Sequence, residues 1–242
     1  MSGPCRYLLL QMRLADDLMS EHEIECFARA FEVEPTSFVT HDLVNSVPPN
    51  GLIDSVNAVV VGGSGDFSVV KGGDWFEPAM ALFRHLYESG KPTFASCWGF
   101  QALAQALGGT VVTDFDRAEV GTVELAMTEC GLQDPVFGPL GNKFLVQIGH
   151  QDIVEVLPDS AKLLCSSSSV KHQAYTFEGK PIYATQYHPE MEKEDLIKRL
   201  SAYPEYVYSA TGLSMEEFKA TCQDAFHNVG VLRRFRDQFV IE

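Results

Sequence analysis

The sequence predicts an α/β protein in which a mostly parallel sheet is flanked by helices. Short apolar segments alternate with amphipathic helical segments up to residue 107, which is typical of parallel strands joined by crossover helices. After residue 110 the pattern changes to successive short strands separated by turns, which indicates a smaller antiparallel portion. With 242 residues, the chain is long enough for one large domain with additional elements.

The first half of the chain alternates between predicted strands and helices. Runs of apolar residues that end in turn signals predict buried strands. Ser20 and Glu23 form a capping box, which predicts that a helix starts there. The predicted order is a strand at 6–11, the helix after Ser20, a strand at 38–40, a turn at 48–51, the strand Ala58–Val61, a glycine loop at 62–65, a helix at 77–89, the strand Thr93–Ser96 and a helix at 98–107.

The second half is predicted to consist of strands and then helices. Strands are predicted at 122–127, 144–148, 153–156, 162–166, 173–177 and 182–186, with turns at Gly131, Gly141, Pro158 and Gly179. Helical patterns return after residue 190, with a capping box at 214–217. Apolar residues follow that box at helical spacing: Phe218, Cys222 and Phe226.

No linker rich in Pro, Gly or Ser separates these helices from the rest of the chain. We therefore expect a domain over residues 1–194 and a C-terminal helical extension over 195–242 that packs on the same domain. The extension serves as a lid or an interface, or it completes the core; the sequence leaves these alternatives open.

Composition and charge argue against several classes of partner. The formal net charge is −15, whereas binding to nucleic acid or anionic membrane needs clustered Lys and Arg. The one basic cluster, formed by Arg233, Arg234 and Arg236, is interpreted as a solvated helix face or a dimer-rim contact without assigned function. There is neither a membrane-spanning segment nor a signal-peptide pattern. We expect no nucleic-acid or membrane partner and a cytoplasmic location.

Six cysteines are spread along the chain without CxxC pairs, which fits a reducing compartment. Cys97 differs from the others because it stands between a predicted strand and a predicted helix, flanked by small residues that permit a sharp turn. A helix N-terminus stabilises a thiolate, and its free N–H groups can hold an oxyanion. On this evidence alone, Cys97 is either a nucleophile or a small buried apolar residue.

Two motifs resemble those of class I glutamine amidotransferases. The nucleophile motif P-x-x-G-x-C-x-G-x-Q is matched by Pro92, Cys97, Gly99 and Gln101. The second motif, Q-[FY]-H-P-E, is matched at residues 186–190, about ninety positions after the cysteine. The resemblance covers about residues 6–190 and implies the flavodoxin-like fold of that family.

The resemblance implies a catalytic triad of Cys97, His188 and Glu190. The residue types suit this role, because a Cys-His pair yields a thiolate and an imidazolium, and a carboxylate can orient the imidazole. The expected reaction is hydrolysis of the side-chain amide of glutamine through a γ-glutamyl thioester. It requires no metal and no cofactor.

The resemblance also assigns roles around the triad. The loop at 62–65 is similar to the family's G-G-x-G loop, so the backbone N–H groups of Gly63 and Trp98 are expected to form the oxyanion hole. Gly65 and Gln101 are expected to line the glutamine pocket. His150, in a segment similar to the family's S-H-G-D stretch, is expected either to line that pocket or to be a structural histidine.

The sequence departs from the family pattern at three positions. Ala95 replaces the glycine two residues before the cysteine, Ser64 replaces a common proline, and Gln151 replaces the glycine after His150. Because Ala95 adds a methyl group near a tight turn, we expect a change in turn geometry or in substrate choice rather than a loss of the chemistry.

The expected small-molecule substrate is glutamine or another γ-glutamyl compound. The chain is similar to the glutaminase domain of GMP synthase and lacks a synthase half, so ammonia would pass to a separate synthetase subunit or be released. Two alternatives remain. The same triad could hydrolyse a γ-glutamyl peptide or conjugate, or the chain could be a non-catalytic regulatory module that forms a homodimer through its extension.

Overall fold

The computed structural model describes residues 5–14, 16–225 and 230–240. Its strands are β1 (Tyr7–Gln11), β2 (Phe38–Asp42), β3 (Ala58–Val61), β4 (Thr93–Ser96), β5 (Thr110–Thr113), β6 (Glu119–Met127), β7 (Lys143–His150), β8 (Asp152–Val156), β9 (Ala161–Ser166), β10 (Ala174–Phe177) and β11 (Lys180–Thr185). Its helices are α1 (Met19–Phe31), α2 (Asn50–Asp54), α3 (Phe76–Ser89), α4 (Trp98–Ala106), α5 (Glu129–Gln133), α6 (Lys193–Ser201), α7 (Pro204–Thr211), α8 (Met215–Thr221) and α9 (Gly230–Phe239).

One mixed sheet of nine strands organises the fold, with the order β2-β1-β3-β4-β11-β10-β9-β6-β7. The strands from β2 to β11 in this order are parallel, and those from β11 to β7 pair antiparallel. A separate two-stranded sheet joins β5 to β8. The predicted α/β class, with a mostly parallel sheet flanked by helices, is confirmed.

The last strand, β11, connects the antiparallel half to the parallel half. It runs parallel to β4, with Thr185 opposite Ser96 and Ala184 opposite Ala95. Since parallel strands end at the same edge of a sheet, the residues that follow β4 and β11 are brought together there. Those residues include Cys97 and His188.

Alternating side chains of the central strands supply two hydrophobic cores, one on each face of the sheet. Leu8 and Leu10 of β1 point toward the core beneath α3 and α4, which includes Phe83. Tyr7 and Leu9 point to the opposite core beneath α1 and α9. Strands that are buried on both faces explain the uninterrupted apolar runs in the sequence.

Four local predictions differ from the structure: the capping box at Ser20, the turn at 48–51, the turn at Gly131 and the helical position of Cys222. Helix α1 begins at Met19 and its N-cap, Leu18, makes no side-chain capping bond, so the capping box at Ser20 and Glu23 is wrong. Glu23 is instead fully buried and faces Arg13. The predicted turn at 48–51 leads into α2, which starts at Asn50.

Gly131 lies within α5 rather than in a simple turn. The side chain of Thr128 caps this helix by accepting a hydrogen bond from the N–H of Gly131 at 3.0 Å. The capping box at Ser214 is confirmed. Helix α8 nevertheless ends at Thr221, so Cys222 follows the helix rather than extending it. Phe226 lies outside the described residues.

The C-terminal helices pack on the sheet from both sides. Helices α6, α7 and α8 contact β6 and β7 and enclose a small apolar cluster of their own. Helix α9 packs against α1, where the ring of Phe235 lies 5.5 Å from that of Phe94 and 6.4 Å from that of Phe31, measured between centroids. None of the helices within the described ranges is long and apolar enough to cross a membrane.

The basic cluster on α9 is only partly solvated, which corrects the interpretation from the sequence. Arg233 is exposed and pairs with Glu32 at 3.2 Å. The half-buried Arg234 donates to the backbone oxygen of Val136 at 2.6 Å, and Arg236 donates to backbone oxygens at the end of α1. Arg234 and Arg236 therefore anchor α9 to its neighbours, whereas Arg233 forms only an exposed ion pair.

Phe235→Ala should lower the free energy of unfolding by about 3–5 kcal/mol, because it removes a fully buried ring from the core between α9 and the sheet. Urea denaturation measures the change. Arg233→Ala on the same helix is the control and should change stability by no more than about 0.5 kcal/mol. Two separate unfolding transitions, with only one affected by Phe235→Ala, would contradict a shared core.

Candidate active site

Cys97 occupies a strained turn between β4 and α4. Its backbone angles are φ 52° and ψ −104°, a conformation that a non-glycine residue adopts at a cost. The Cys97 N–H donates to the backbone oxygen of Thr185 at 2.8 Å, which fixes the turn to the end of β11. The strand–helix elbow predicted from the sequence is present, and it places the thiol at the N-terminus of α4.

His188 and Glu190 lie beside this elbow. The Nδ1 atom of His188 is 2.7 Å from Oε1 of Glu190, and both side chains are buried. The backbone N–H of His188 donates to the oxygen of Gln147 at 2.9 Å, which holds the turn after β11. The imidazole also hydrogen-bonds the side chain of Cys97. The structure therefore brings the three predicted triad residues together.

The protonation of His188 is set by opposing effects. Burial alone would lower its pKa, but the negative charges of Glu190 and Cys97 and their hydrogen bonds raise the pKa to about 9. The imidazole therefore carries a proton at neutral pH. A protonated imidazole between a carboxylate and a sulfur is the arrangement that general acid catalysis by this residue requires.

Gly63 packs directly against this pair. A Cβ atom at Gly63 would lie 2.9 Å from Cε1 of His188 and 3.5 Å from Cβ of Cys97, so a side chain there would displace the imidazole. A Cβ atom at Gly62 would lie 2.5 Å from a carboxylate oxygen of Glu23. The two glycines are needed because the loop is enclosed between His188 and Glu23.

Glu23 is a buried charge that sequence analysis missed. It forms an ion pair with Arg13, with 2.9 Å between Arg13 Nη2 and Glu23 Oε1, and accepts a second bond from Gln11 at 3.1 Å. Burial opposes its ionisation, but Arg13 and these hydrogen bonds lower the pKa of its carboxyl group. Glu23 Oε1 also accepts the N–H of Gly63 at 3.3 Å. This N–H, expected to stabilise an oxyanion, is thus engaged by Glu23 in the structure.

Trp98 supplies the other expected oxyanion donor. It is the first residue of α4, and helix geometry leaves the first N–H groups without an intrahelical acceptor. Its indole ring is buried and packs edge-on against Trp75, with 5.3 Å between ring centroids. The assignment of Gly63 and Trp98 to an oxyanion hole remains a prediction.

The three residues expected to bind substrate all line one cavity of about 240 Å³ that also contains Cys97 and His188. The Gln101 amide donates to the backbone oxygen of Asp152 at 2.8 Å and to Gln186 at 3.1 Å, so it braces the walls of the cavity. His150 lies 3.3 Å from Glu119 through its Nε2 atom. Gly65 packs against Tyr203.

The C-terminal extension forms part of the cavity wall. Leu196, Arg199, Leu200 and Tyr203 follow one another at i, i+3, i+4 and i+7, which is the spacing of one helix face, although α6 ends at Ser201 and Tyr203 is the N-cap of α7. All four line the cavity, together with Tyr206 of α7. This spacing was visible in the sequence and could have indicated that the extension turns one face toward the active site.

Arg199 reaches the predicted triad from α6. Its Nη1 atom lies 3.5 Å from Nδ1 of His188 and 3.7 Å from Oε1 of Glu190. Its Nε and Nη2 atoms and Oε2 of Glu190 are buried and have no hydrogen-bond partner within the described ranges. A buried cation beside the Glu190 carboxylate compensates its charge and restrains its position.

The departures from the family pattern fit the local structure. Ala95 is fully buried in β4, where its methyl group joins the core between Val61 and Ala184, and the elbow at Cys97 still forms. The Ser64 hydroxyl accepts the N–H of Phe67 at 3.0 Å and so shapes the glycine loop. Gln151 lines the cavity.

Comparison with known proteins gives a consistent result. The model of the family "Glutamine amidotransferase class-I" matches residues 26–199. A GMP synthase [glutamine-hydrolyzing] of Streptomyces coelicolor is 30% identical over 170 residues, covering 70% of this chain and 30% of that protein. One subunit of the GMP synthase [glutamine-hydrolyzing] of Methanothermobacter thermautotrophicus is 30% identical over 123 residues, covering 51% of this chain and 64% of that one. The chain thus spans less than two thirds of the length of these relatives.

Two solved structures share the fold. A glutamine amidotransferase from Thermotoga maritima superposes with a TM-score of 0.76 at 19% identity, covering 99% of this chain and 100% of that one. A glutamine amido transferase from Methylobacillus flagellatus gives a TM-score of 0.73 at 19% identity, with 99% and 97% coverage. The superpositions cover nearly the whole chain, including the C-terminal extension.

The imidazole of His188 should remain protonated up to about pH 9, and Glu190→Gln should lower that midpoint because it removes the adjacent negative charge. NMR of protein labelled in its histidine rings measures both values. Cys97→Ala should also lower the His188 midpoint, because Cys97 is one of the groups that raise this pKa. A wild-type midpoint at or below about 6.5, the value of a free histidine, would contradict this electrostatic picture.

The same shift predicts how stability depends on pH. Because the pKa of His188 is higher in the folded chain than in the unfolded chain, its stabilising contribution is fully present below about pH 6.5. That contribution should be lost as the pH rises through about 9. Comparing urea midpoints of the wild type and His188→Gln across this range isolates the effect.

Proposed function

Because the chain belongs to the class I glutamine amidotransferase family, we propose that it hydrolyses the side-chain amide of glutamine with Cys97 as the nucleophile. The observation that carries the proposal is the strained elbow at Cys97 next to the 2.7 Å pair of His188 and Glu190. This arrangement supplies a nucleophile, a proton carrier and a group that orients the carrier.

The first half of the reaction forms a thioester. The Cys97 sulfur, its proton held by His188, attacks the δ-carbonyl carbon of glutamine, and the carbonyl oxygen becomes an oxyanion. The N–H of Trp98 at the start of α4 lies beside the reacting sulfur and stabilises that charge. The N–H of Gly63 adds a second bond once the loop releases it from Glu23. His188 then protonates the departing nitrogen, and ammonia leaves.

The second half restores the enzyme. His188, now neutral, removes a proton from water as the water oxygen attacks the γ-glutamyl thioester. The carbon–sulfur bond breaks, glutamate is released, and the proton returns to the Cys97 and His188 pair. Glu190 keeps the imidazole ring in one orientation throughout both halves.

We assign the remaining cavity residues to substrate binding. Gln101, Gly65 and His150 shape the walls that enclose the glutamyl group, and α6 and α7 complete the cavity. Residues 196–206 of the extension are accordingly part of the proposed site, although residues 1–194 hold the proposed triad.

The ammonia is proposed to pass to a separate synthetase. Two observations support this: the relatives are named GMP synthases, and one of them, 30% identical to this chain, is named as a single subunit of such an enzyme. A cytoplasmic location is part of the same proposal, because all six cysteines are free thiols, which suits a reducing compartment.

Cys97→Ala should lower the rate of ammonia release from glutamine by more than about a thousandfold, because no thioester can form. A coupled ammonia assay on purified protein measures it. Cys130→Ser is the matched control, since Cys130 lies on α5 and does not line the cavity. Equal nonzero rates in wild type and Cys97→Ala would contradict the assignment.

A glutamine-mimicking electrophile separates a latent enzyme from an inactive one when the isolated protein releases no ammonia. Cys97 should be labelled faster than the other five thiols, as read by mass spectrometry. Labelling at equal rates would favour a non-catalytic module. Faster cleavage of γ-glutamyl amines than of glutamine would support the thioester chemistry but would indicate that the substrate is a γ-glutamyl compound other than glutamine.

Arg199→Met should lower kcat by up to about a hundredfold, because Glu190 loses the cation that restrains it and the triad is misplaced. Loss of a neighbouring positive charge should also move the pH–rate profile toward higher pH. Arg199→Lys should restore part of the rate. Lys198→Met, exposed on the same helix, is the control. A lower rate with an unmoved pH profile in Arg199→Met would indicate a merely structural role.

A further inference from the structure

A second group of chemically reactive side chains lies where α1 meets α6. His22 and Cys26 occupy successive turns of α1, and Asp195 belongs to the first turn of α6. His22 and Cys26 are buried, and Asp195 is half-buried. The proposed hydrolysis uses none of these side chains.

The three side chains converge on one point. His22 Nε2 lies 3.1 Å from Oδ1 of Asp195 and 3.5 Å from Sγ of Cys26, and all three atoms lie within 4.8 Å of one another. Tetrahedral zinc, with bonds of about 2.0–2.2 Å to nitrogen and oxygen and about 2.3 Å to sulfur, separates its ligand atoms by roughly 3.3–3.7 Å. The two spacings from Nε2 of His22, 3.1 Å to oxygen and 3.5 Å to sulfur, are close to these values before any side chain moves.

The sulfur and the carboxylate both lie near Nε2 of the His22 ring. The Cys26 sulfur is 3.5 Å from Nε2 and 4.0 Å from Nδ1, while Oδ1 of Asp195 is 3.1 Å from Nε2. One nitrogen, one sulfur and one oxygen around a common centre form a ligand set suited to zinc.

The surroundings support the same arrangement. Oδ2 of Asp195 accepts the N–H of Glu192 at 2.9 Å and also pairs with Arg29, so the carboxylate is held with Oδ1 facing His22. Outer partners of this kind commonly orient metal ligands. The nearby cations, Arg29 and Arg199, are balanced by Asp195 and Glu190.

We propose that His22, Cys26 and Asp195 form a site for a divalent zinc-like ion, separate from the triad, with a fourth position for water. The Cys26 thiol gives its proton to solvent on binding, so the thiolate, the carboxylate and the ion sum to zero charge. Asp195 and Arg199 are one turn apart on α6. A bound ion would therefore fix the helix that supplies Arg199 to the triad.

Metal titration of Cys97→Ala protein tests the proposal without interference from the active-site thiol. Cadmium should produce one equivalent of a thiolate charge-transfer band, and zinc should bind one equivalent by calorimetry and raise Tm. His22→Gln, Cys26→Ser and Asp195→Asn, each in the Cys97→Ala background, should each lower zinc affinity by more than the roughly 10–100-fold that losing an outer partner costs. Cys222→Ser in the same background is the control and should bind as before.

The outcomes separate this site from the proposed hydrolysis, because no readout depends on activity. The absence of a cadmium band in folded Cys97→Ala protein would overturn the proposal even if a ligand variant failed to fold. Stoichiometric binding that survives all three ligand substitutions would also overturn it. In either case the cluster would be a hydrogen-bonded contact between two helices only.

Discussion

The pairing of β11 with β4 is the constraint on which the site depends. The proposed nucleophile follows β4 and the proposed base follows β11, so the two meet only because these strands are parallel neighbours with Thr185 opposite Ser96. The hydrogen bond from the Cys97 N–H to the backbone oxygen of Thr185 continues the pairing of these two strands as far as the elbow. His188 follows β11, which also pairs with the antiparallel half of the sheet, and it therefore lies next to Cys97, which follows a strand of the parallel half.

Buried charges around the elbow are arranged in compensating pairs. Arg13 neutralises Glu23 behind the glycine loop, while Arg199 and the imidazolium of His188 face Glu190. An unpaired charge in such surroundings would be strongly destabilising. The two arginines come from distant parts of the chain, because Arg13 follows β1 and Arg199 belongs to the C-terminal extension. Segments far apart in the sequence thus stabilise the same group of reactive side chains.

Most strands and the triad motifs were predictable from sequence because apolar runs and fixed motif spacing are local signals, whereas strand β5 was not predicted. Glu23 was not, since S-x-x-E satisfies the capping pattern equally well when the glutamate turns inward to Arg13. Arg199 was missed because helix periodicity identifies a buried face without saying what a polar residue on that face contacts. The engagement of the Gly63 N–H by Glu23 depends on tertiary packing, which no motif encodes.

The central place of β11 also bears on how the protein is made. This strand lies between β4 and β10, yet it is the last strand of the sheet to leave the ribosome. Until it emerges, the sheet has a gap at its centre, and closing that gap requires contacts across more than eighty residues, which slows folding. The proposed nucleophile is therefore synthesised well before its proposed base, and the proposed catalytic centre can form only after every other strand of the sheet has been synthesised.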